Sequence, residues 1–532
     1  MFWADKIAAD AQGEQVVNDS KTPSGRVHVG SLRGVVIHDV IYRALKHAGK
    51  PVKFLYGVDD YDALDTVPKY LDAEKFSPYL GYPLCNVPSP GENASDYAKY
   101  FMGEFLEVFD YLGVKPEIYY LRDLYRSGKL NAAIDTFLQN AHLVREAYLQ
   151  VSKAKRPDNW YPFQVVCENC GKIATTVVTD YNGKEVFYTC KPDATDWVAG
   201  CGHSGWVSPF DGNGKLPWKV EWVAKWQALG VTIEMAGKDH SQKGGSRDVA
   251  NAICRKVLHQ NPPFHSPYEF ILVNGTKMSS SKGVGSSAKE IADLLPPEIL
   301  RFLMLRTQPR SGINFSPNYE TVTRLFRDYD GLIEKYREAA KQGTPEMTQD
   351  LMALFYSQLG DEIQTYHPFD FSTIISLLQV PHLEMTEEVK NRTEVELTEA
   401  DWQVVNQRIA VAQKWLDDYA DEEEKLVLYF DAVPEKVKEL SAEQVKYLTQ
   451  LAENLQTLEA WEGEALQTEI FSTAKALPIA PNLAFPAVYY SFLGKERGPK
   501  AGALLSYLDR EFVITRIRDA IALAQEPAKV EA

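Results

Sequence analysis

The sequence predicts an α/β domain on a parallel sheet, split by a cysteine-bearing insertion and followed by an all-helical domain. Three observations carry this: a strand, loop, helix, strand unit at the start, four cysteines bunched between Cys167 and Cys201, and helical periodicity alone beyond about Asn318. At 532 residues the chain exceeds what one core accommodates, and two to four domains are expected.

"EQVVND" (14–19) and "VKFLYGVDD" (52–60) read as buried strands. Between them Leu32, Val35, Val36, Val40, Ala44 and Ala48 recur at spacings of three and four until Gly49, with Pro51 beyond as a stop. The unit has the length of a right-handed βαβ crossover, so "KTPSGRVHVGS" (21–31) is the corner at the carboxyl edge of a parallel sheet, where open α/β folds bind ligands. Proline and glycine crowd 79–92 and mark an insertion, with helical patterns through Gln150. The α/β style returns in "VTIEMAGKDH" (231–240) and "FILVNGTKMSSSKG" (270–283). Past it, "TVTRLFRDYDGLIEKYREAA", "DWQVVNQRIAVAQKWLDDYADEEEKL" and "SAEQVKYLTQLAENLQ" are helical. Ser441 and Gln444 form a capping box, and the acidic run "DDYADEEEKL" is a solvated helix face.

A charge of −16 argues against indiscriminate nucleic-acid binding, since phosphate affinity rests on Lys and Arg, although a local basic face remains compatible with it. No apolar run approaches the roughly 20 residues of a membrane span. The first residues lack an export or transit character, so a cytoplasmic location is expected.

The first corner suits an anion. A helix starting near Val29 or Gly30 offers unpaired N–H groups and the positive end of its dipole, Gly25 and Gly30 admit close approach, and His28 and Ser31 bring donors. The spacing matches neither a Walker loop nor a dinucleotide fingerprint, and a plain turn with a core histidine is the competing reading. A second loop, "KMSSSKG" (277–283), sets two lysines and three hydroxyls after an apolar strand, as a phosphate clamp requires or as a serine-rich linker would also show.

"CENCGK" at Cys167 and Cys170, with Cys190 and Cys201 further on, encloses an alternating segment with Asn182-Gly183 at a hairpin turn. This outlines a zinc ribbon, four thiolates closing a tetrahedral structural Zn²⁺ site. His203 is the alternative to Cys201 as fourth ligand, and a redox Cys-x-x-Cys is the competing chemistry. Cys85 and Cys254 read as ordinary buried thiols.

Together the two loops resemble the "HIGH" and "KMSKS" signatures of class I aminoacyl-tRNA synthetases. Pro23, Ser24, Gly25, His28 and Gly30 match the first, and Lys277, Met278, Ser279 and Ser281 the second. Ser31 stands where the first signature has its second histidine and Ser280 where the second has its second lysine; Lys282 follows with a charge. "TPSGRVHVGSLRGVV", "DDYDALDTVPKY", "AGKDHSQKGGSRD", "YEFILVNGTKMSSSKG" and "FLGKERGPKAGALLSYLDREFVITRIRDA" look like class I, archaeal-type lysyl-tRNA synthetase over about 14–525.

The resemblance implies an α/β Rossmann-type class I synthetase catalytic domain with a zinc-containing insertion, followed by an all-α C-terminal anticodon-binding domain. The catalytic domain would occupy 1–78 and 215–317, the insertion 79–214 with its ribbon at about 160–206, and the helical domain 318–532. It implies lysine activation by ATP with Mg²⁺ and transfer to tRNA(Lys) by a cytoplasmic monomer. His28, Ser31, Lys277 and Lys282 would be catalytic. Pro23, Ser24, Gly25, Gly30, Met278, Ser279 and Ser281 would join them around ATP. Thr22, Trp222, His240 and Tyr268 would line the lysine slot, with Asp60 and Asp239 as charge partners. Another class I synthetase, a tRNA-independent adenylate-forming ligase, or a silent binding protein on the same fold are the alternatives.

Overall fold

The computed structural model describes residues 1–273, 287–380, 383–421, 424–425, 428–477, 479–498 and 500–526. The chain divides into two compact units: Met1–Ser316 with Asp328–Thr365, and Pro317–Arg327 with Tyr366–Ala532.

The first unit opens with the expected crossover. Strand β1 (Gln15–Lys21) leads through the glycine corner into helix α1 (Gly30–His47), and β2 (Val52–Val58) returns parallel to β1. α1 is buried on nearly every side. Its apolar residues pack inward, and the two terminal nitrogens of buried Arg33 donate to the carbonyls of Glu269, Gln308, Pro309 and Ser311 at 2.7–3.2 Å. Gly49 ends the helix at φ +69°, with Gly49 N–H donating to Lys46 and Lys50 N–H to Leu45, so Ala48 caps it from an exposed position rather than joining the buried stripe.

Two readings of local structure change here. Glu117–Tyr120, within the stretch read as helical, is a strand, β3, which pairs parallel with β2. Four residues give too little alternation to register between helical neighbours. Helices Leu121–Arg126, Asn131–Gln139 and Ala141–Ser152 follow, and then a three-stranded antiparallel ribbon of β4 (Thr176–Tyr181), β5 (Val186–Cys190) and β6 (Ser204–Val207). Its first hairpin turns at Asn182-Gly183 as expected: the Asn182 side chain accepts from Lys184 and Glu185 N–H, and Gly183 adopts φ +93°. The chain re-enters the α/β layer through α2 (Trp218–Leu229). Of "VTIEMAGKDH" only Ala236–Gly237 forms a regular strand, β7, parallel to β8 (Pro267–Tyr268), and β9 (Ile271–Val273) pairs parallel with β10 (Ile313–Phe315).

These strands join across β1, where Val17 bridges Ile233 and Ile233 bridges Phe264 in parallel. The chain runs outward from β1 to β2 and β3 on one side and to the 233–237 segment and then β8 on the other. Such a reversal of strand order opens a crevice at the carboxyl ends of the strands.

Among the described residues of 366–532 there are helices and no strands. Helices Ala442–Thr457, Gly463–Ala476, Pro481–Leu493 and Arg510–Ala524 share a core that includes Tyr447, Leu451, Ile470, Val488, Phe492 and Ile517. The Ser441/Gln444 capping box forms in both directions. The acidic run is not one helix face: helix Glu399–Asp418 stops within it, and 422–423 and 426–427 lie outside the described residues. No helix of the described chain is long and apolar enough to cross a membrane.

Candidate active site

A cavity of about 750 Å³ occupies the crevice. One side is the corner after β1. His28, Gly30 and Ser31 at the start of α1 face the space, with Thr22 and Ser24 on the approach. An 18-residue helix turns the positive end of its dipole here, but its first-turn N–H groups are not all unpaired: Ser31 and Leu32 N–H donate to His28 and Val29 C=O at 3.0 Å. Pro23 and Gly25 are buried beneath and do not line the cavity, so they shape the corner rather than its surface. Lys277, Met278, Ser279, Ser281 and Lys282 lie outside the described residues. The flanking positions are described: Ile271 lines the cavity, His28 bridges Ser287, and Ala288 N–H donates to Val27 C=O at 2.8 Å.

The opposite side is aromatic and acidic. Trp222, Tyr268, Asp239 and His240 line it, and the Trp222 and His240 ring centroids lie 6.1 Å apart. Asp60 does not. It is fully buried behind the β2 end, held by the Arg122 guanidinium and by Arg122 N–H at 2.9 Å, with Asp96 at 2.9 Å on the same arginine. Burial pushes its carboxyl up to about 6 even with Arg122 beside it. The chain turns just after β2, and its neighbour Asp59 is the one that lines the cavity.

Sequence reasoning missed a set of buried ionisable groups in the cavity wall. Lys225 bonds Asp59 at 2.8 Å and Ser20 Oγ at 3.2 Å; Lys215 pairs with Asp62 and lies 3.2 Å from Glu221. Thr22 Oγ1 donates to Asp62 at 2.6 Å, and Tyr125 O–H donates to Glu221 at 2.6 Å. Burial opposes ionisation of Asp62, yet Lys215 and Thr22 hold its carboxyl below the usual range, whereas burial carries Glu221 up to about 7 against the attraction of Lys215. Glu234 accepts from Asn18 Nδ2 at 2.6 Å, from Trp222 Nε1 at 2.7 Å and from Trp226 Nε1, which locks the tryptophan that walls the slot. One signal was available: in "WKVEWVAKWQAL" Trp218, Trp222 and Trp226 recur every fourth residue with Glu221 and Lys225 between them, a face too aromatic for solvent and too charged for a plain core.

Beside the cavity the ribbon gathers its cysteines. The Sγ atoms of Cys167, Cys170, Cys190 and Cys201 all lie within 4.8 Å of one another. The long Cys190 to Cys201 interval is absorbed by a loop that closes on itself, Gly200 N–H donating to Lys191 C=O at 3.1 Å and Gly202 N–H to Cys190 C=O at 2.8 Å. His203 stands apart from the sulfurs, its ring 5.9 Å from that of Tyr188. The four-thiol donor set suits a closed tetrahedral metal site. Cys85 and Cys254 are buried, and burial raises both thiol pKa values, that of Cys85 to about 12.

The arrangement sets the positive end of the α1 dipole against aromatic and acidic groups across one space. Comparisons with known proteins identify the family. Residues 1–355 match the family described as tRNA synthetases class I (K), and 384–521 match an anticodon binding domain. A curated lysine–tRNA ligase of Thermoplasma volcanium is 34% identical over 522 residues, covering 98% of this chain and 99% of that one. Those of Methanosarcina barkeri and Archaeoglobus fulgidus are 33% and 32% identical, with 98% of this chain covered in each and 98% and 100% of theirs. The chain belongs to the class I tRNA synthetases, in the (K) family.

Proposed function

We propose that this chain is a lysine–tRNA ligase: it joins lysine and ATP into lysyl-adenylate and pyrophosphate, then passes the lysyl group to the 3′-terminal adenosine of tRNA(Lys). The observation that carries this reading is one cavity with the dipolar tip of α1 on one side and an aromatic, acidic slot on the other, in a chain of this family.

In the first step a lysine carboxylate oxygen attacks the α-phosphorus of ATP and the bond to pyrophosphate breaks, with Mg²⁺ arriving as part of the nucleotide substrate. No side-chain nucleophile is required, and the protein contributes positioning and charge neutralisation. We assign His28, Gly30 and Ser31 to the phosphates from the helix side, over a corner shaped by Pro23, Ser24 and Gly25. By their motif, Lys277, Met278, Ser279, Ser281 and Lys282 hold the nucleotide from the other side. Thr22, Trp222, His240 and Tyr268 form the lysine slot, with Asp239 at its rim. In the second step a ribose hydroxyl of the tRNA attacks the carbonyl carbon, AMP leaves, and the hydroxyl proton passes to the departing phosphate or to water.

The cysteine quartet would hold a structural Zn²⁺, which, when bound, cross-links two knuckles of a module with little apolar core of its own. The boundaries 1–78, 79–214, 215–317 and 318–532 remain our domain assignment, with the anticodon read by the last, and we place the enzyme in the cytoplasm as a monomer. The test is charging of total tRNA with lysine, with pyrophosphate exchange across twenty amino acids alongside. Exchange restricted to lysine and accumulation of lysyl-tRNA are expected; exchange with a different amino acid, or without charging, would transfer the chain to another class I synthetase or adenylate-forming activity. His28→Ala and Lys277→Ala should each lower exchange by about 100-fold or more while lysine binding stays near normal.

A further inference from the structure

Which group takes the charge of the substrate's side chain is answered by an inventory of the carboxylates around the cavity. Asp59 is held by Lys225 and Ser20, Asp62 by Lys215 and Thr22, and Glu221 by Lys215 and Tyr125. Glu234 is saturated by an asparagine and two indoles, with the Arg247 guanidinium 3.8 Å away. Asp65 and Asp239 also line the cavity but are exposed, where water screens them. Asp19 differs from all of these. Its side chain is 15% exposed, lies at the carboxyl end of β1 and lines the cavity.

One oxygen of Asp19, Oδ1, accepts Ser20 N–H at 2.9 Å. The other, Oδ2, lies 3.5 Å from His38 Nδ1, but that imidazole is no cation. Its Nε2 accepts Met235 N–H at 2.9 Å, so the ring proton sits on Nδ1, and Nδ1 is 2.7 Å from Gly34 C=O, to which it donates. Among the described residues Lys21 also acts on Asp19, but it shares its charge among Asp19, Asp239 and Asp59. Across the same opening Tyr268 presents its hydroxyl: a Cβ placed on Gly34 would lie 2.6 Å from Tyr268 Oη and 3.1 Å from Asp19 Oδ2. With only hydrogen on Gly34, the two oxygens sit side by side over the same bare stretch of α1, with Trp222 and Met235 among the apolar cavity walls that would take a methylene stem.

We propose that Asp19, seconded by the hydroxyl of Tyr268, is the specificity-determining acceptor for the side-chain ammonium of the amino-acid substrate. This rests on the lysine reading above. It places recognition of the positive end at the floor of β1, beneath the aromatic slot, and leaves Asp239 outside it. An ammonium offers three donors and no acceptor, which one carboxylate oxygen and one phenolic oxygen can meet at once, water completing the shell.

The test is pyrophosphate exchange by the full-length chain with lysine, norleucine and ornithine. Wild type should prefer lysine to norleucine by about 10⁴-fold in kcat/KM, as sites built to bond a polar group reject analogues lacking it. Asp19→Asn should cut that preference to below about 10²-fold by raising the KM for lysine while the KM for ATP holds within about threefold. Asp19→Glu keeps the charge but advances it by one methylene, and should shift the lysine-to-ornithine ratio toward ornithine by about tenfold or more. This variant decides the matter if the asparagine variant does not fold. Unchanged ratios in the folded variants would overturn the proposal. Absence of lysine-dependent exchange in the wild type would instead overturn the activity on which it rests.

Discussion

Gly34 and Tyr268 meet so closely that a Cβ on the glycine would lie 2.6 Å from the tyrosine hydroxyl, nearer than carbon and oxygen can stand. Helix α1 therefore takes a residue of poor helical propensity in its interior to leave space at the slot. Gly34→Ala would gain about 1 kcal/mol in an ordinary helix. Here the methyl must displace the Tyr268 ring. We expect no rise in melting temperature and an increase of about tenfold in the KM for lysine, read by pyrophosphate exchange. Normal lysine kinetics with a higher melting temperature would show that the ring yields without cost.

The cysteine quartet predicts a stoichiometry. Purified protein should carry about one zinc per chain by elemental analysis. Cys190→Ser or Cys201→Ser should reduce this below half, with a lower melting temperature, because metal affinity in such modules is folding free energy. His203→Ala should retain the metal, since its ring stands outside the group of sulfurs.

His265 gives a pH prediction. Burial, aided by Arg247, lowers its pKa from 6.5 to about 4. The unfolded chain thus binds a proton that the folded one refuses, so stability present above pH 6.5 is lost as pH falls toward 4. The ring is only half-buried, so the loss is about 1–2 kcal/mol rather than the full value of the shift. Urea denaturation at several pH values should show His265→Gln with a flatter profile across that window.

In the helical unit, Ser441→Ala removes an acceptor from Gln444 N–H and should cost about 1 kcal/mol in urea denaturation. Ser441→Asp, which keeps an acceptor at the helix start, should restore most of it.

The parts legible in the sequence are those set by short-range physics. The corner from Thr22 to Ser31 was readable because a helix start, a proline and two glycines within ten residues leave the chain few paths. The cysteine quartet was readable because ligand spacing is a local property, although only the closed loop 191–200 explains how Cys201 rather than His203 reaches the other sulfurs. The capping box of Ser441 and Gln444 is equally local.

What only the tertiary structure decided is the direction in which adjacent residues face. Asp59 and Asp60 are consecutive acids after one strand, yet the first bonds Lys225 at the cavity and the second is spent on Arg122 behind it. The role proposed for Asp19 is hidden from the sequence in the same way, since it depends on the neutral state of His38, fixed by Met235 on a distant strand segment, and on the Tyr268 hydroxyl that comes up beside Asp19 over Gly34. Helix periods and ligand spacings are fixed by bonds along the chain. The partner of a buried charge is fixed by which elements pack around it, and that information appears only when the sheet has assembled on both sides of β1.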